Sequence, residues 1–190
     1  MKLMEQKILS DGQVLPGNIL KVGSFLNQQL DTAFLMQVGE EIARRFRDDG
    51  VTKVITIEAS GIAIATLAAL SLGVPAVIVK KQSSANQSKD VYTATIDSFT
   101  HKNTYTAAVA KEYLTADDRV LIVDDFLAMG NAIIGLEKIL AEAGATLVGC
   151  AIAIEKSFQG GGDALRARGL RVESLAMIDS MDDTSVVFRP

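Results

Sequence analysis

Residues 120–132 read VLIVDDFLAMGNA. Four large apolar residues, three of them β-branched, come first, as in a strand buried on both faces, and two adjacent acids end the run. Small residues around Gly130 then lead directly into an apolar periodic segment. Strand, acids, short loop and helix follow one another with no spare residues, so the helix begins at the carboxyl edge of a sheet. Ligands of open α/β sheets bind at that edge.

The chemistry of the stretch follows from its order. A helix N-terminus offers unpaired backbone N–H groups and the positive end of the helix dipole, and Ala128, Gly130 and Ala132 are small enough to let a phosphate approach. Asp124 and Asp125 point to opposite sides of the strand, so at least one faces the crevice, where a carboxylate accepts hydrogen bonds from a sugar diol. A phosphate next to a diol suggests a ribose 5-phosphate.

Outward from this stretch the same pattern recurs. Strand Val120 to Val123, helix Gly130 to Ala143 with its stop at Gly144, and strand Thr146 to Ile154 form one βαβ unit. Val51 to Ile57, Gly61 to Leu72 and Ala76 to Val79 form another. Before it, Asp31 caps a helix running to about Asp49, with Phe34, Leu35, Val38, Ile42 and Phe46 on one stripe and Gly50 beyond its end. Two βαβ units imply an α/β fold, a mainly parallel twisted sheet with helices on both faces.

Between the units, Gln82 to Asp90 (QSSANQSKD) is small and polar, and Tyr92 to Phe99 with Thr104 to Val109 alternate as a hairpin does. A flexible loop that closes as a lid is expected there. The first thirty residues show no sustained period, and the tail from Val172 to Phe188 shows only short strand-like pieces. Together they are expected to form a small hood over the crevice of a single domain spanning residues 1–190. Gly160 to Gly162 reads as a flexible turn.

Composition limits the function classes. The 190 residues carry a net charge of -4 with a sequence pI near 5.0, which argues against a nucleic-acid or anionic-membrane surface. The longest apolar stretch, Gly61 to Val79, is interrupted by Ser71, Gly73 and Pro75 and falls short of the roughly 20 residues of a membrane-spanning helix. Cys150 is the only cysteine, so no internal disulfide forms, and it lies in an apolar strand as a small hydrophobe. MKLMEQKILSDG lacks a secretory apolar core, so a cytoplasmic address is expected. His101 has no partner with which to make a metal site.

With its acids and small-residue loop in place, residues 120–132 resemble the phosphoribosyl-pyrophosphate (PRPP) motif of the type I phosphoribosyltransferases. AMGNA stands where a threonine-rich loop is usual. NILKV at 18–22, FLN at 25–27, TIEASGIA at 56–63, the lysine pair 80–81, IEKSFQ at 154–159 and VESLA at 172–176 extend the similarity to bacterial xanthine phosphoribosyltransferases over nearly the whole chain. The resemblance implies the type I phosphoribosyltransferase fold and transfer of phosphoribosyl from PRPP to xanthine, giving XMP and pyrophosphate in purine salvage.

Residue by residue, the resemblance implies that Leu20, Asn27 and Lys156 contact xanthine and that Ala128, Met129, Gly130, Asn131 and Ala132 bind PRPP. Asp124 and Asp125 become the catalytic acids that hold the ribose. Ala59, Ser60 and Gly61 become the pyrophosphate loop, with Gly61 permitting a tight backbone conformation and Lys81 neutralising the anion. Lys156 donates and never accepts, so it favours the carbonyl of a 6-oxopurine over the amino group of adenine. Met129 and Asn131 replace hydroxyl side chains, which leaves backbone N–H groups as the main phosphate donors. Ala128 stands where relatives carry an acid, so no general base is identified.

Mg2+ is expected as cofactor, bound through PRPP with no protein ligand of its own. A homodimer is implied as well. Two alternatives stay open: transfer to hypoxanthine or guanine, which Lys156 reads equally, and a non-catalytic PRPP-sensing regulator. The acidic balance and the lack of a helix-turn-helix segment disfavour the regulator.

Overall fold

The computed structural model of the chain describes residues 1–82, 90–98 and 103–190. Helix α1 (Lys2–Asp11), a small hairpin of β1 (Gln13–Leu15) and β2 (Ile19–Lys21), and a π-helical turn at Gly23–Asn27 come first. Then follow α2 (Thr32–Phe46), β3 (Lys53–Ile57), α3 (Ile62–Leu72), β4 (Ala76–Gln82) and the hairpin β5 (Val91–Ser98) and β6 (Asn103–Ala110). The chain closes with β7 (Arg119–Leu127), α4 (Asn131–Ala143), β8 (Thr146–Lys156), α5 (Gly161–Ala167), β9 (Val172–Met181) and β10 (Val186–Phe188).

Eight strands form one sheet in the order β10-β9-β8-β7-β3-β4-β6-β5. The five central strands, β9 to β4 in that order, are parallel, and antiparallel partners close both edges. Period-2 alternation in β7 explains why helices cover both faces. Leu121 and Val123 join the core formed with α2 and α3, and Val120 and Ile122 join the one formed with α4. The capped helix forms as read: Asp31 accepts the Phe34 N–H at 3.1 Å, and Phe34, Leu35, Val38, Ile42 and Phe46 are all buried. Each such side chain stabilises the fold by roughly 1.5–3 kcal/mol.

Three regions differ from the sequence reading. The central strand does not stop at Val123 but runs through both acids to Leu127, because Asp124, Phe126 and Leu127 keep pairing with β8. The first thirty residues contain the helix α1, whose period is weak because it buries only Met4 and Ile8. The tail does not cover the crevice: β9 and β10 extend the sheet, β9 pairing in parallel with β8 from Cys150 to Lys156. The 92–109 hairpin forms, and the lid expected at 82–90 falls, apart from its end residues, outside the described residues, as does His101. Cys150 is fully buried, and burial pushes its thiol pKa far up, as a core position requires.

Candidate active site

Three cavities line the carboxyl edge of the central strands, and the two acids join them. The first, about 180 Å³, is walled by residues 126–133 with Ile96, Asp97, Tyr105 and Asp124. The second, about 130 Å³, lies over Ile57, Glu58, Ala59 and Ser60 and is closed by Lys81, Tyr105, Asp124, Asp125 and Ala132. The third, about 560 Å³, is bounded by Gly17 to Leu20, Ser60, Asp125, Phe126, Ala128, Lys156 and Gln159. Asp124 borders the first two and Asp125 the last two, so continuation of the strand through both acids aims them at adjoining cavities.

In the first cavity the helix α4 begins directly at the loop. Gly130 has φ +86°, a left-handed conformation that other residues adopt at a cost. Asn131 does not offer its amide to the cavity: Nδ2 donates to the Asp97 carbonyl at 3.0 Å and ties the loop to β5. Any anion there meets backbone N–H groups and the helix dipole, since the loop's side chains are Ala128, Met129 and Ala132. Met129 is 44% exposed, so it forms a rim to this cavity and is not part of the core.

The loop rests on the glycines read as a flexible turn. Gly161 donates its N–H to the Ala128 carbonyl at 3.1 Å, and a Cβ there would lie 2.5 Å from the Met129 carbonyl carbon and closer still to the Ala128 oxygen. A Cβ at Gly162 would strike the Glu155 carboxylate. Glu155 is wholly buried and held by Arg166 through two hydrogen bonds, at 2.9 and 2.6 Å, and by the Ser174 hydroxyl. The two glycines thus support the loop from behind and fix the strand end that carries Lys156. The Gly161 contact is with residues far away in sequence and the Gly162 contact is across the turn with Glu155, so no periodic pattern gave this role.

The second cavity is built differently. Gly61 has an ordinary φ of -74°, so it supplies space and not the unusual conformation expected of it. A Cβ there would lie 2.9 Å from Asp124 Oδ1 and nearer still to Thr56 Oγ1. Gly61 stands behind the cavity wall that Ala59 and Ser60 form. The peptide between Glu58 and Ala59 is cis. Lys80 pairs with Glu58 at 3.1 Å, and the Lys81 N–H donates to the same carboxylate at 2.7 Å. Burial raises the Glu58 pKa, but those two partners outweigh it and leave the group below its ordinary value. The Lys81 ammonium stays at the cavity.

The acids are half-buried and close together. Burial pushes the Asp124 pKa well up, and the Asp125 charge adds to it; burial raises Asp125 too, against a hydrogen bond from the Asn27 side chain. Asn27, on the exposed end of the π-helical turn, lies near Asp125, whose carboxyl pKa it helps hold down, and does not itself border the base-sized cavity. In that cavity the Lys156 Nζ donates to the Asn18 carbonyl at 2.9 Å and lies 5.7 Å from the Phe126 ring centroid. Burial lowers its pKa. Leu20, 7% exposed, belongs both to the core and to the cavity wall. Phe126 and Gln159 were not singled out in the sequence, because only the fold brings them beside Lys156.

Comparison with known proteins agrees with this geometry. The model of the phosphoribosyl transferase domain family matches residues 27–179. A xanthine phosphoribosyltransferase of Heliobacterium modesticaldum is 51% identical over 188 residues, covering 99% of this chain and 100% of its own, and one of Bacillus cytotoxicus is 48% identical, covering 99% and 95%. Among solved structures, an adenine phosphoribosyltransferase of Giardia lamblia complexed with 9-deazaadenine superposes with a TM-score of 0.78 at 23% identity, covering 93% of this chain and 98% of its own. That of Rhodothermus marinus gives 0.75 at 22% identity, covering 93% and 99%. Identities this low speak to the fold alone. Full-length identity near one half speaks to more, and the chain belongs to the phosphoribosyl transferase domain family and, within it, to the xanthine phosphoribosyltransferases.

Proposed function

We propose that the protein transfers the 5-phosphoribosyl group of PRPP to N9 of xanthine, giving XMP and pyrophosphate. The observation that carries the reading is the chain of three cavities joined by Asp124 and Asp125: an amide-lined one, a lysine-edged one, and a larger one with a lysine on its wall. Anion, anion and base then lie in the order in which the donor and acceptor present them. The third volume is within the range of about 300–1,000 Å³ typical of small-molecule sites.

Residues 128–132 hold the 5-phosphate through backbone N–H groups. Asp124 and Asp125 accept from the ribose hydroxyls, while Ala59, Ser60, Gly61 and Lys81 receive the pyrophosphate. As the bond from C1 to the pyrophosphate oxygen breaks, N9 bonds to C1 and the proton of the base passes to water. Positive charge that builds on the sugar ring is stabilised by the nearby acids, and positioning supplies much of the rest. Lys156 donates to O6, which adenine lacks. Leu20 bounds the remaining edge of the base, and Asn27 acts from beside Asp125.

Among the described residues no group of three His, Cys, Asp or Glu forms a metal cage, and the acid pair beside the pyrophosphate cavity fits an ion held mainly by substrate oxygens and water. Mg2+ carried by PRPP would face Asp124 and Asp125 and supply charge neutralisation on the leaving group. The same reading places the enzyme in the cytoplasm; among the described residues no helix is long and apolar enough to cross a membrane. It also makes the enzyme a homodimer, and sedimentation as a monomer at micromolar concentration would contradict that.

Steady-state assays with PRPP and each of xanthine, guanine, hypoxanthine and adenine test the reading. Xanthine is expected to be used best and adenine not at all. Lys156→Met is expected to lower kcat/KM for xanthine about 10- to 100-fold, the value of a charged hydrogen bond, with the KM for PRPP unchanged. No turnover of any 6-oxopurine would sink the proposal.

A further inference from the structure

Tyr105 has no task in the reaction as described above, yet it occupies a central position. Only Asp124 and Ala132 share with it a place on the walls of both anion cavities. The Lys81 ammonium lies 4.9 Å from the centroid of its ring. A cation at that distance is drawn to the negative face of the ring, more strongly where water is partly excluded. Burial and the neighbouring Asp124 charge push the phenol pKa up, so the lysine meets a neutral ring and not a phenolate.

Among the described residues this ammonium forms no ion pair within 4.0 Å; the ring faces it, and the Glu58 and Asp124 carboxylates act on it from further off. Lys80, next to it in sequence, is paired with Glu58. The backbone of Lys81 is fixed by the Glu58 carboxylate and by its place opposite Ala107 in the pairing of β4 with β6. Only the long, rotatable stem needs ordering, and ordering it during binding would weaken anion capture.

We infer that Tyr105 is a positioning residue, whose ring face holds the Lys81 ammonium at the edge of the pyrophosphate cavity before the donor arrives. It acts through the ring and not the hydroxyl. This rests on the reading that PRPP is the donor.

The test measures Tyr105→Phe, Tyr105→Leu, Lys81→Met and the Lys81→Met/Tyr105→Leu pair, by kinetics and by calorimetric titration with pyrophosphate. Tyr105→Leu is expected to raise the KM for PRPP and weaken pyrophosphate binding about tenfold, with the KM for xanthine unmoved. Tyr105→Phe, which keeps the ring, is expected to retain the PRPP KM. The double variant is expected to be no worse than Lys81→Met alone, since both changes remove one interaction.

An unchanged PRPP KM in Tyr105→Leu, additive losses in the pair, or a Phe variant as impaired as the Leu variant each overturns the inference. If Tyr105→Leu does not fold, Tyr105→Met fills similar space without a ring face and carries the same expectations. If the wild-type protein does not consume PRPP at all, the donor reading fails instead, and the pyrophosphate titration still decides the role of Tyr105.

Discussion

The two anion loops occupy equivalent places, each between a parallel strand and a helix, and they solve the same problem by opposite means. Residues 128–132 rely on backbone: Gly130 takes a left-handed conformation, Asn131 is tied to β5, and among the described residues no cation borders the cavity. Residues 58–61 keep an ordinary φ at Gly61, use that glycine for room beside Asp124, and have Lys81 at the edge. Under the proposed function the difference has a reason: a phosphate retained throughout needs a fixed cradle, whereas a leaving group needs charge that can let go.

The contrast breaks most severely at Gly161, which supports only the first loop. Gly161→Val places side-chain atoms into the backbone of Ala128 and Met129, and backbone cannot step aside as a flexible side chain does. We expect a loss of about 1–3 kcal/mol in chemical denaturation, typical of overpacking, and a PRPP KM raised about 100-fold or more. Pyrophosphate affinity, which depends on the other loop, should change far less. Equal losses at both ends of PRPP would show that the loops are not independent.

Gly61→Ala makes the matching break in the second loop, with a smaller effect because the obstacles are side chains, Thr56 Oγ1 and Asp124 Oδ1. A cost of about 1–2 kcal/mol is expected, with kcat lowered as Asp124 is displaced. Among the described residues the buried Thr56 hydroxyl has no hydrogen-bond partner, so Thr56→Ala forfeits no bond and should restore part of what Gly61→Ala loses. Thermal melts and kinetics of the double variant decide this, and no rescue would count against the clash.

The same contrast explains what could be read from the sequence. The geometry of the loop at residues 128–132 was legible because it is contiguous: strand, acids, small residues and helix follow one another and each has a local cause. The capped stripe of α2 was legible for the same reason. The wall of the base cavity was legible only through resemblance at Leu20 and Lys156, since residues 17–20, 126, 156 and 159 meet only after folding. Gly161 and Gly162 were misread as flexible because what excludes a side chain there lies up to about thirty positions earlier in the chain. The tail was misread because β9 mixes buried and half-buried residues without clean alternation, being covered unevenly at the side of the sheet.

A weaker effect on stability should come from the acid that joins the two loops. Asp124 has its pKa raised above the ordinary 3.8 by burial and by Asp125. A carboxyl raised in the folded state favours folding while protonated, and that contribution falls away as pH climbs from 3.8 through the folded-state value. At neutral pH the charge is a net cost that the site tolerates for function. Asp124→Asn should therefore be more stable than wild type at pH 7 and nearly inactive, with the gain shrinking as pH falls toward 3.8. Urea melts across that range check it, and a variant less stable at pH 7 would contradict the assignment.

The smallest effect on activity is expected at Gly130 itself. Its φ of +86° strains any side chain, but a Cβ there would meet only Leu165 Cδ1 at 3.3 Å, the end of a movable side chain. The cost is then conformational alone. Gly130→Ala should cost about 1–2 kcal/mol, and Gly130→Asn less, since asparagine tolerates left-handed backbone. If both variants keep the PRPP KM while losing this stability, the cradle holds its shape against strain, as a site built from backbone must. If instead the KM rises with the strain, φ at residue 130 sets the aim of the N–H groups, and the support from Gly161 cannot maintain that aim alone. Measuring both quantities in both variants separates the two ways in which one glycine can serve a phosphate.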